Sequence, residues 1–465
     1  MSNSVKKFEP QKVVIADVDG IQYDVTRAVG MFSYYEDIYQ PFVTANMLMI
    51  DSGQNFIGNL PIQGGEEVTV KLINVRKEAV EYKMRVQKIV NRSVERNMQY
   101  YTLVLTSKEG LENDTARVTE KYKANAEAIV SDVLKNVLKT DKELFAEESQ
   151  FKMSIFPNGK KCHALVQSLM YKTVSKTTKF NKGRGADDDT KSESELGGSN
   201  KKKSSGTAGY LFFENKDGFI FQSMDRLCSD GTDSFGGTAP VETYYSRPSV
   251  GMPPDQVYYN IENYAFDGDI DMSEKLNNGI YSTHMCYFDI SSQKYEEYTY
   301  DMAKTFNNMS HLGSQTTLAK YQKQLASKPS RVMSILLDHE AWYSGEDVAN
   351  PEEGGDTQFP DYAKYYTAQS IGRRYLMDTH RVQIEIAGNS DLRVGDKIKI
   401  MLPNMVAEKL REEQPYDEEA SGTYLIAALS HNFAFIVDSG EPKFFTNLEL
   451  IRDTMGIKEY ASKVK

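Results

Sequence analysis

A turn that must lead at once into alternating buried and exposed side chains is the tightest constraint this chain carries, and the chain carries it twice. Residues 62–72 read IQGGEEVTVKL and residues 390–402 read SDLRVGDKIKIML. In each, a glycine and an acid (Gly65-Glu66, Gly395-Asp396) precede one charged residue and then a run of spaced aliphatics. Those aliphatics are Val68, Val70 and Leu72 in the first segment and Ile398, Ile400 and Leu402 in the second. A period of two places them on one face of a strand, and glycine supplies the backbone freedom that the preceding turn demands. The order of the downstream segments also matches. YKMRVQKIV and YYTLVLT come after the first device, TYLIAALSH and FFTNLEL after the second. Gly65 to Tyr101 spans 36 residues and Gly395 to Phe445 spans 50, a difference that the polar run NMVAEKLREEQPYDEEAS can absorb. On the glycine–acid pairs alone, shared turn chemistry among small barrels is the better account. The ordered later matches bring duplication level with that account.

Around these segments the first 110 or so residues read as strands and turns. Phe42–Asp51, Glu66–Val75, Tyr82–Val90 and Gln99–Ser107 are β-rich runs, parted by SGQN, GG and NRSVERN. Short strands spaced this way predict a barrel or sandwich. The pattern then switches. Tyr122, Ala126, Ile129, Val133 and Val137 recur at helical spacing in RVTEKYKANAEAIVSDVLKNVLKT, which predicts an amphipathic helix. KKCHALVQSLMYKTV predicts a second. Lys179–Gly209 has almost no apolar side chains, cannot offset the entropy of ordering itself, and is expected to be a mobile surface loop. NKDG (Asn215–Gly218) predicts a hairpin turn between Leu211–Phe213 and Phe219–Phe221. GIYSTHMCYFDISSQKYEEYTYD predicts another hairpin. The acidic stretch Ser344–Asp361 reads as a loop, YAKYYTAQSIGRRYLM as a helix, and HRVQIEIAG as a strand with Val382, Ile384 and Ile386 on one face. Four parts are expected: 1–113, 114–230, 231–360 and 361–465.

Composition narrows the class. The chain has 465 residues, too many for one ordinary core. No run approaches the roughly 18–20 apolar residues of a membrane span, so no membrane insertion is expected, and the N-terminus lacks a signal-peptide core. Cys162, Cys228 and Cys286 lie far apart without metal-like spacing and read as free thiols of a reducing cytoplasm. A net charge of −11 argues against a dedicated nucleic-acid binder. It is compatible with a surface along which DNA slides without sticking.

Signatures of chemistry are missing. There is no Walker loop, dinucleotide fingerprint, nucleophile elbow or paired-histidine zinc helix. His163, His284, His311, His339, His380 and His431 are scattered, and His431 in LSHNF reads as a packed or surface residue. Asp267, Asp269 and Asp271 occupy the first odd positions of a calcium loop, but Met272 and Asn278 stand where glycine and glutamate are needed. A helix cap by Asp271, with Glu274 at the third position, is the better reading. His339, Glu340, Trp342 and Glu346 in DHEAWYSGED read as a surface loop. No catalytic, cofactor-binding or metal-binding residues are nominated, and no cofactor is expected.

With the strand-rich start, the middle SLMYKTVSK and GYLFFENKDGFIFQSMDRL, the hairpin NNGIYSTHMCYFDISSQKYEEYTYD, and the end AGNSDLRVGDKIKIMLP, GTYLIAALSHNF and FFTNLELIRD in place, the chain resembles the baseplate central hub proteins of contractile-tailed, T-even-like phages. The likeness covers nearly the whole chain and rests on order and pattern. Lys179–Gly209 and the acidic C-terminal loop depart from it. The resemblance implies an α+β, mainly β protein in which two tube-type antiparallel β-barrel domains flank a mixed α/β middle region. It implies a non-enzymatic homotrimer, three chains giving a pseudo-sixfold ring that joins a hexameric tail tube to a trimeric central spike. Tail tube, spike and wedge proteins would be the partners, with a tape measure protein a further one. DNA would pass through the channel without specific binding, and the site of action would be the virion tail after assembly in the host cytoplasm. A tail-associated wall-degrading enzyme and the hub-like part of a type VI secretion spike are the competing classes.

Overall fold

A computed structural model describes residues 7–456 except 18, 54–55, 57–61, 75, 150–151, 177–206, 230–239, 248–252, 267–270, 291–292, 315–317, 338–358, 406–414 and 437–440. Most of the polar stretch Lys179–Gly209, the segment holding His339, Trp342 and Glu346, and most of the acidic stretch Ser344–Asp361 therefore lie outside the described residues.

Seven strands build the N-terminal module: β1 (Glu9–Ala16), β2 (Gln22–Asp24), β3 (Val29–Asp37), β4 (Thr44–Asp51), β5 (Glu67–Ile73), β6 (Ala79–Glu95) and β7 (Met98–Thr106). They pair antiparallel in the order β3-β4-β7-β6-β5-β1-β2. Ala45, Met47 and Met49 of β4, Val68, Val70 and Leu72 of β5, and Tyr101, Leu103 and Leu105 of β7 face one common core. Each large apolar side chain so buried contributes about 1.5–3 kcal/mol. A slip of one residue would turn the whole set outward, so the core sets the register.

The turn expected over NRSVERN is confined to Arg96 and Asn97, and β6 runs on through Glu95. Two departures from regular geometry let it do so. Asn91 takes a left-handed φ of 54° within a bulge between Val90 and Ser93, and Arg96 takes a φ of 53° at the turn itself. Asparagine tolerates that region better than most residues, so a turn-like composition sits inside a strand.

The middle of the chain mixes helices and hairpins. The helix predicted from Tyr122 onward begins only at Ala126; Tyr122–Asn125 is a strand paired with Lys152–Ile155. The start is set from a distance, because Ser149 Oγ accepts a hydrogen bond from the Ala126 backbone N–H at 3.1 Å. From there Ala126, Ile129 and Val133 are buried as the spacing required, the last in a π-turn over Val133–Val137. Cys162–Met170 is the second expected helix. Tyr210–Asn215 and Gly218–Ser223 form the NKDG hairpin, with Asn215 opposite Gly218. Gly218 is required there, since a Cβ would stand 2.4 Å from the Glu143 carbonyl oxygen. Ser282–Asp289 and Lys294–Asp301 form the other hairpin, flanked by Arg331–Leu337 in parallel. Asp271 caps the helix Met272–Asn277, its Oδ1 accepting from the Glu274 N–H at 2.9 Å.

The helix Phe359–Met377 leads into the second module, built of His380–Ala387, Lys397–Met401, Gly422–Ala434 and Lys443–Arg452. Two short strands from within 231–360, Thr243–Tyr245 and Ile261–Phe266, add to it. The outer half of Gly422–Ala434 then pairs with β3, so both modules lie in one 13-stranded sheet. The protein is mainly β, with a large antiparallel sheet, as expected from sequence.

Candidate functional site

The two modules correspond strand by strand. The pairing order β1-β5-β6-β7-β4-β3 is matched by Thr243–Tyr245, Lys397–Met401, Gly422–Ala434, Lys443–Arg452, His380–Ala387 and Ile261–Phe266. The direction differs at one position, where Thr243–Tyr245 runs parallel to its neighbour and β1 antiparallel. Two of the irregularities coincide as well, whereas the second bulge of β6, between Val90 and Ser93, has no counterpart in Gly422–Ala434. β6 shifts register against β7 between Val86 and Lys88, opposite Leu105 and Val104; Gly422–Ala434 shifts between Ile426 and Ala428, opposite Leu450 and Glu449. β3 shifts between Val29 and Met31, and its counterpart between Ile261 and Asn263.

The glycine–acid device has the same geometry in both copies. Gly65 N–H donates to the Val86 carbonyl at 2.7 Å and Val86 N–H to the Glu66 carbonyl at 3.0 Å. Gly395 N–H donates to the Ile426 carbonyl at 3.0 Å and Ile426 N–H to the Asp396 carbonyl at 2.9 Å. Both glycines take positive φ, 96° and 87°. Each device thus locks onto the residue just before the bulge of the next strand. Shared turn chemistry would not place bulges at matching registers. Following the pairings, Leu103 corresponds to Leu448 and Tyr101 to Thr446, one residue beyond the Phe445 matched by sequence.

The junction between the copies is where bulged strand meets foreign strand. Ala428–Ala434 pairs with Met31–Asp37, and Ile38 N–H donates to the Ala427 carbonyl at 2.9 Å. Phe433 and Phe444 are buried in the core of the N-terminal module, stacked at 4.1 Å between centroids, with Phe32 at 6.1 Å from Phe433. The second copy therefore helps to fill the core of the first.

The NKDG hairpin pins this junction. The buried Glu36 carboxylate accepts from Lys216 N–H at 2.7 Å, Tyr34 hydroxyl at 3.0 Å and Val394 N–H at 3.0 Å, linking first module, hairpin and second module. Burial pushes Glu36 up to about 7, against the pull of its three donors and of Lys216. Lys216 Nζ donates to the carbonyls of Ser390 and Asp391, both at 2.7 Å. Arg393 bridges Asp217 and Asp396, and Arg76 binds Asp391 at 2.5 Å. His431, expected as a packed or surface residue, is buried at the junction with Nδ1 2.9 Å from Thr446 Oγ1, and burial drives its pKa down to about 3.

A second buried cluster ties the long helix to the end of the second module. Arg373, fully buried, pairs with Asp453 at 2.7 Å and Asp225 at 3.0 Å and also donates to the Ser310 carbonyl. His311 lies 2.6 Å from Asp453, and against the effect of burial His311 and Arg373 together hold that carboxyl far below its usual range. The first cluster borders two surface clefts, one lined by Tyr34, Lys216, Asp217, Ser390 and Asp391 and the other by Asp217, Arg393, Val394 and Asp396; both clusters hold separate segments of the chain together. No sequence signal marked Glu36 or Arg373, since an acid in a strand and an arginine in a helix are ordinary until their surroundings are known.

Cys162 and Cys228 are buried free thiols, pushed up by burial to about 11 and about 12, and Cys286 is partly exposed. Among the described residues one group could hold a metal: His284, Cys286 and Glu297, whose donor atoms lie within 4.8 Å of one another on the hairpin Ser282–Asp301. Strand alternation puts His284 and Cys286 on one face, with Glu297 opposite Cys286.

No protein-family model matches the chain, and neither does any curated protein. Solved structures do. A tail protein from Neisseria meningitidis MC58 superposes with a TM-score of 0.50 at 9% identity, over 96% of this chain and 97% of that one. The chain has the fold of a tail protein. The 43 kDa tail protein of prophage MuSo2 from Shewanella oneidensis aligns over 96% of this chain and 100% of its own, at 11% identity and a TM-score of 0.48. The E. coli c3393 protein, a type VI secretion component described as similar to T4 tail proteins gp27 and gp5, aligns over 95% of this chain and 77% of its own, at 11% identity and a TM-score of 0.41.

Proposed function

We propose that this chain is a structural hub of a contractile-tail baseplate. One observation carries the reading: the same bulged sheet unit occurs twice in one chain, joined edge to edge. Repeating a unit within a subunit lets three subunits offer six near-equivalent surfaces, which reconciles a threefold partner with a sixfold one. The chain acts as a homotrimer whose ring seats a hexameric tail tube on one side and a trimeric central spike on the other. Residues 1–113 and 361–465, completed by the two strands from 231–360, form the ring. The remainder of 114–360 faces the spike, wedge and tape measure partners in the virion tail. The ring encloses a channel for DNA, and the net charge of −11 suits a lumen that does not bind the phosphate backbone.

An obligate assembly of this kind buries roughly 2,000 Å² or more per interface. Mass measurement across concentration, alone and with spike protein, is expected to find a trimer, and electron microscopy a threefold ring with six similar lobes. A strict monomer under all these conditions refutes the reading.

A further inference from the structure

Within the chain, the junction uses two parts: the outer half of a bulged strand (Ala428–Ala434) and the strand at the end of the other copy's sheet, β3. Each part has a counterpart in the other copy. The outer half of β6, Lys88–Glu95, pairs with β7 on one side; on its other side β5 ends against Arg85. Ile261–Phe266 stands at the end of the sheet and pairs only with His380–Ala387 among the described residues. These two segments carry the exposed side chains that their engaged counterparts bury. Val94, the counterpart of Phe433, is 65% exposed, whereas Phe433 is fully buried. Phe266, the counterpart of Tyr34, is 53% exposed against 4%.

We propose that Ile261–Phe266 of one subunit adds antiparallel to Lys88–Glu95 of the next, reproducing between chains the junction that β3 and Ala428–Ala434 make within one. The proposal rests on the hub reading and deepens it by naming the edges. The register comes from the duplication. Tracing the pairings through β7 and Lys443–Arg452, with the second bulge of β6 between Val90 and Ser93 taken up as one extra residue, places Ser93, Val94 and Glu95 on Asn432, Phe433 and Ala434, which face Ser33, Phe32 and Met31. Matching the shifts of β3 and its counterpart places Ser33, Phe32 and Met31 on Ala265, Tyr264 and Asn263. Ser93 of one subunit therefore faces Ala265 of its neighbour, and Val94 faces Tyr264. The contact is heterologous, each subunit giving one edge and receiving another, and it closes at three copies if the junctions between chains repeat the rotation of the junction within a chain. Joining the edges also removes two exposed strand edges that would otherwise template aggregation.

Ser93→Cys and Ala265→Cys, both at exposed positions, are combined in a Cys286→Ser background and oxidised mildly. Facing strand residues have Cα separations within disulfide reach. The expected products on a non-reducing gel are covalent dimer and trimer and nothing larger, with no cross-link from either single variant or from Ser93→Cys with Glu262→Cys. A trimer by mass that gives no cross-link overturns these edges and leaves the hub reading standing. An open ladder beyond three overturns closure. A chain that stays monomeric and uncrosslinked at every concentration overturns both.

Discussion

The two glycine–acid devices make an internally controlled experiment, because one alanine substitution can be placed in the same backbone setting twice. At Gly65 an added Cβ meets no atom within 4 Å, so Gly65→Ala bears only the strain of positive φ. That strain is about 1–2 kcal/mol, partly offset by about 0.4–1 kcal/mol from the smaller entropy of the unfolded alanine chain. A net loss of about 1 kcal/mol is expected. At Gly395 the same Cβ would stand 2.9 Å from Phe213 Cζ and 3.3 Å from its Cε2. Phe213 is fully buried and has little room to withdraw. Overpacking of this kind adds about 1–3 kcal/mol, bringing Gly395→Ala to about 2–4 kcal/mol. Urea denaturation followed by circular dichroism reads the totals, and hydrogen exchange with mass spectrometry locates them. Gly65→Ala should raise exchange over 79–95 alone. Gly395→Ala should raise it over 422–434 and also over the hairpin 210–223 that carries Phe213. Equal losses, or a larger loss at Gly65, would refute the claim that the second device is wedged against the hairpin.

Replacing Arg373 with Met strips two buried carboxylates of their shared cation, a change expected to cost about 3–5 kcal/mol. Adding Asp225→Asn and Asp453→Asn should restore part of it in denaturation curves; a loss below about 1 kcal/mol for Arg373→Met contradicts the clamp. Glu36 gives a pH test. Its folded pKa of about 7 lies above the ordinary 4.5, so the protonated form favours the folded state. Its contribution is harmless below about pH 4.5, is lost progressively as pH rises to about 7, and is then constant, about 3 kcal/mol in all. Glu36→Gln should flatten the wild-type stability profile across that window, and a profile unchanged by the substitution would show that the carboxyl does not titrate there.

Much of the local structure was legible from period and punctuation. The alternation of Val68, Val70 and Leu72, the NKDG turn and the cap by Asp271 all depend on residues within a few positions of one another. Misreadings arose where a distant residue intervened. Tyr122 shares helical spacing with Ala126, yet Lys152–Ile155 draws it into a strand and Ser149 starts the helix after it. NRSVERN has turn composition, yet pairing with β7 carries the strand through it.

The duplication divides the same way. Sequence alone determined that a glycine, an acid and spaced aliphatics recur in 65–72 and 395–402, because that device is local and its chemistry is written in adjacent residues. Only the tertiary structure decided that the copies are one fold. In the N-terminal unit β3 and β4 are neighbours in the chain, whereas their counterparts Ile261–Phe266 and His380–Ala387 are parted by a hairpin and several helices. The hydrogen bonds and apolar burial that join such strands act through space, so no window of sequence records which strand meets which, and the coincident bulges at Val86 and Ile426 become visible only once the partners are paired.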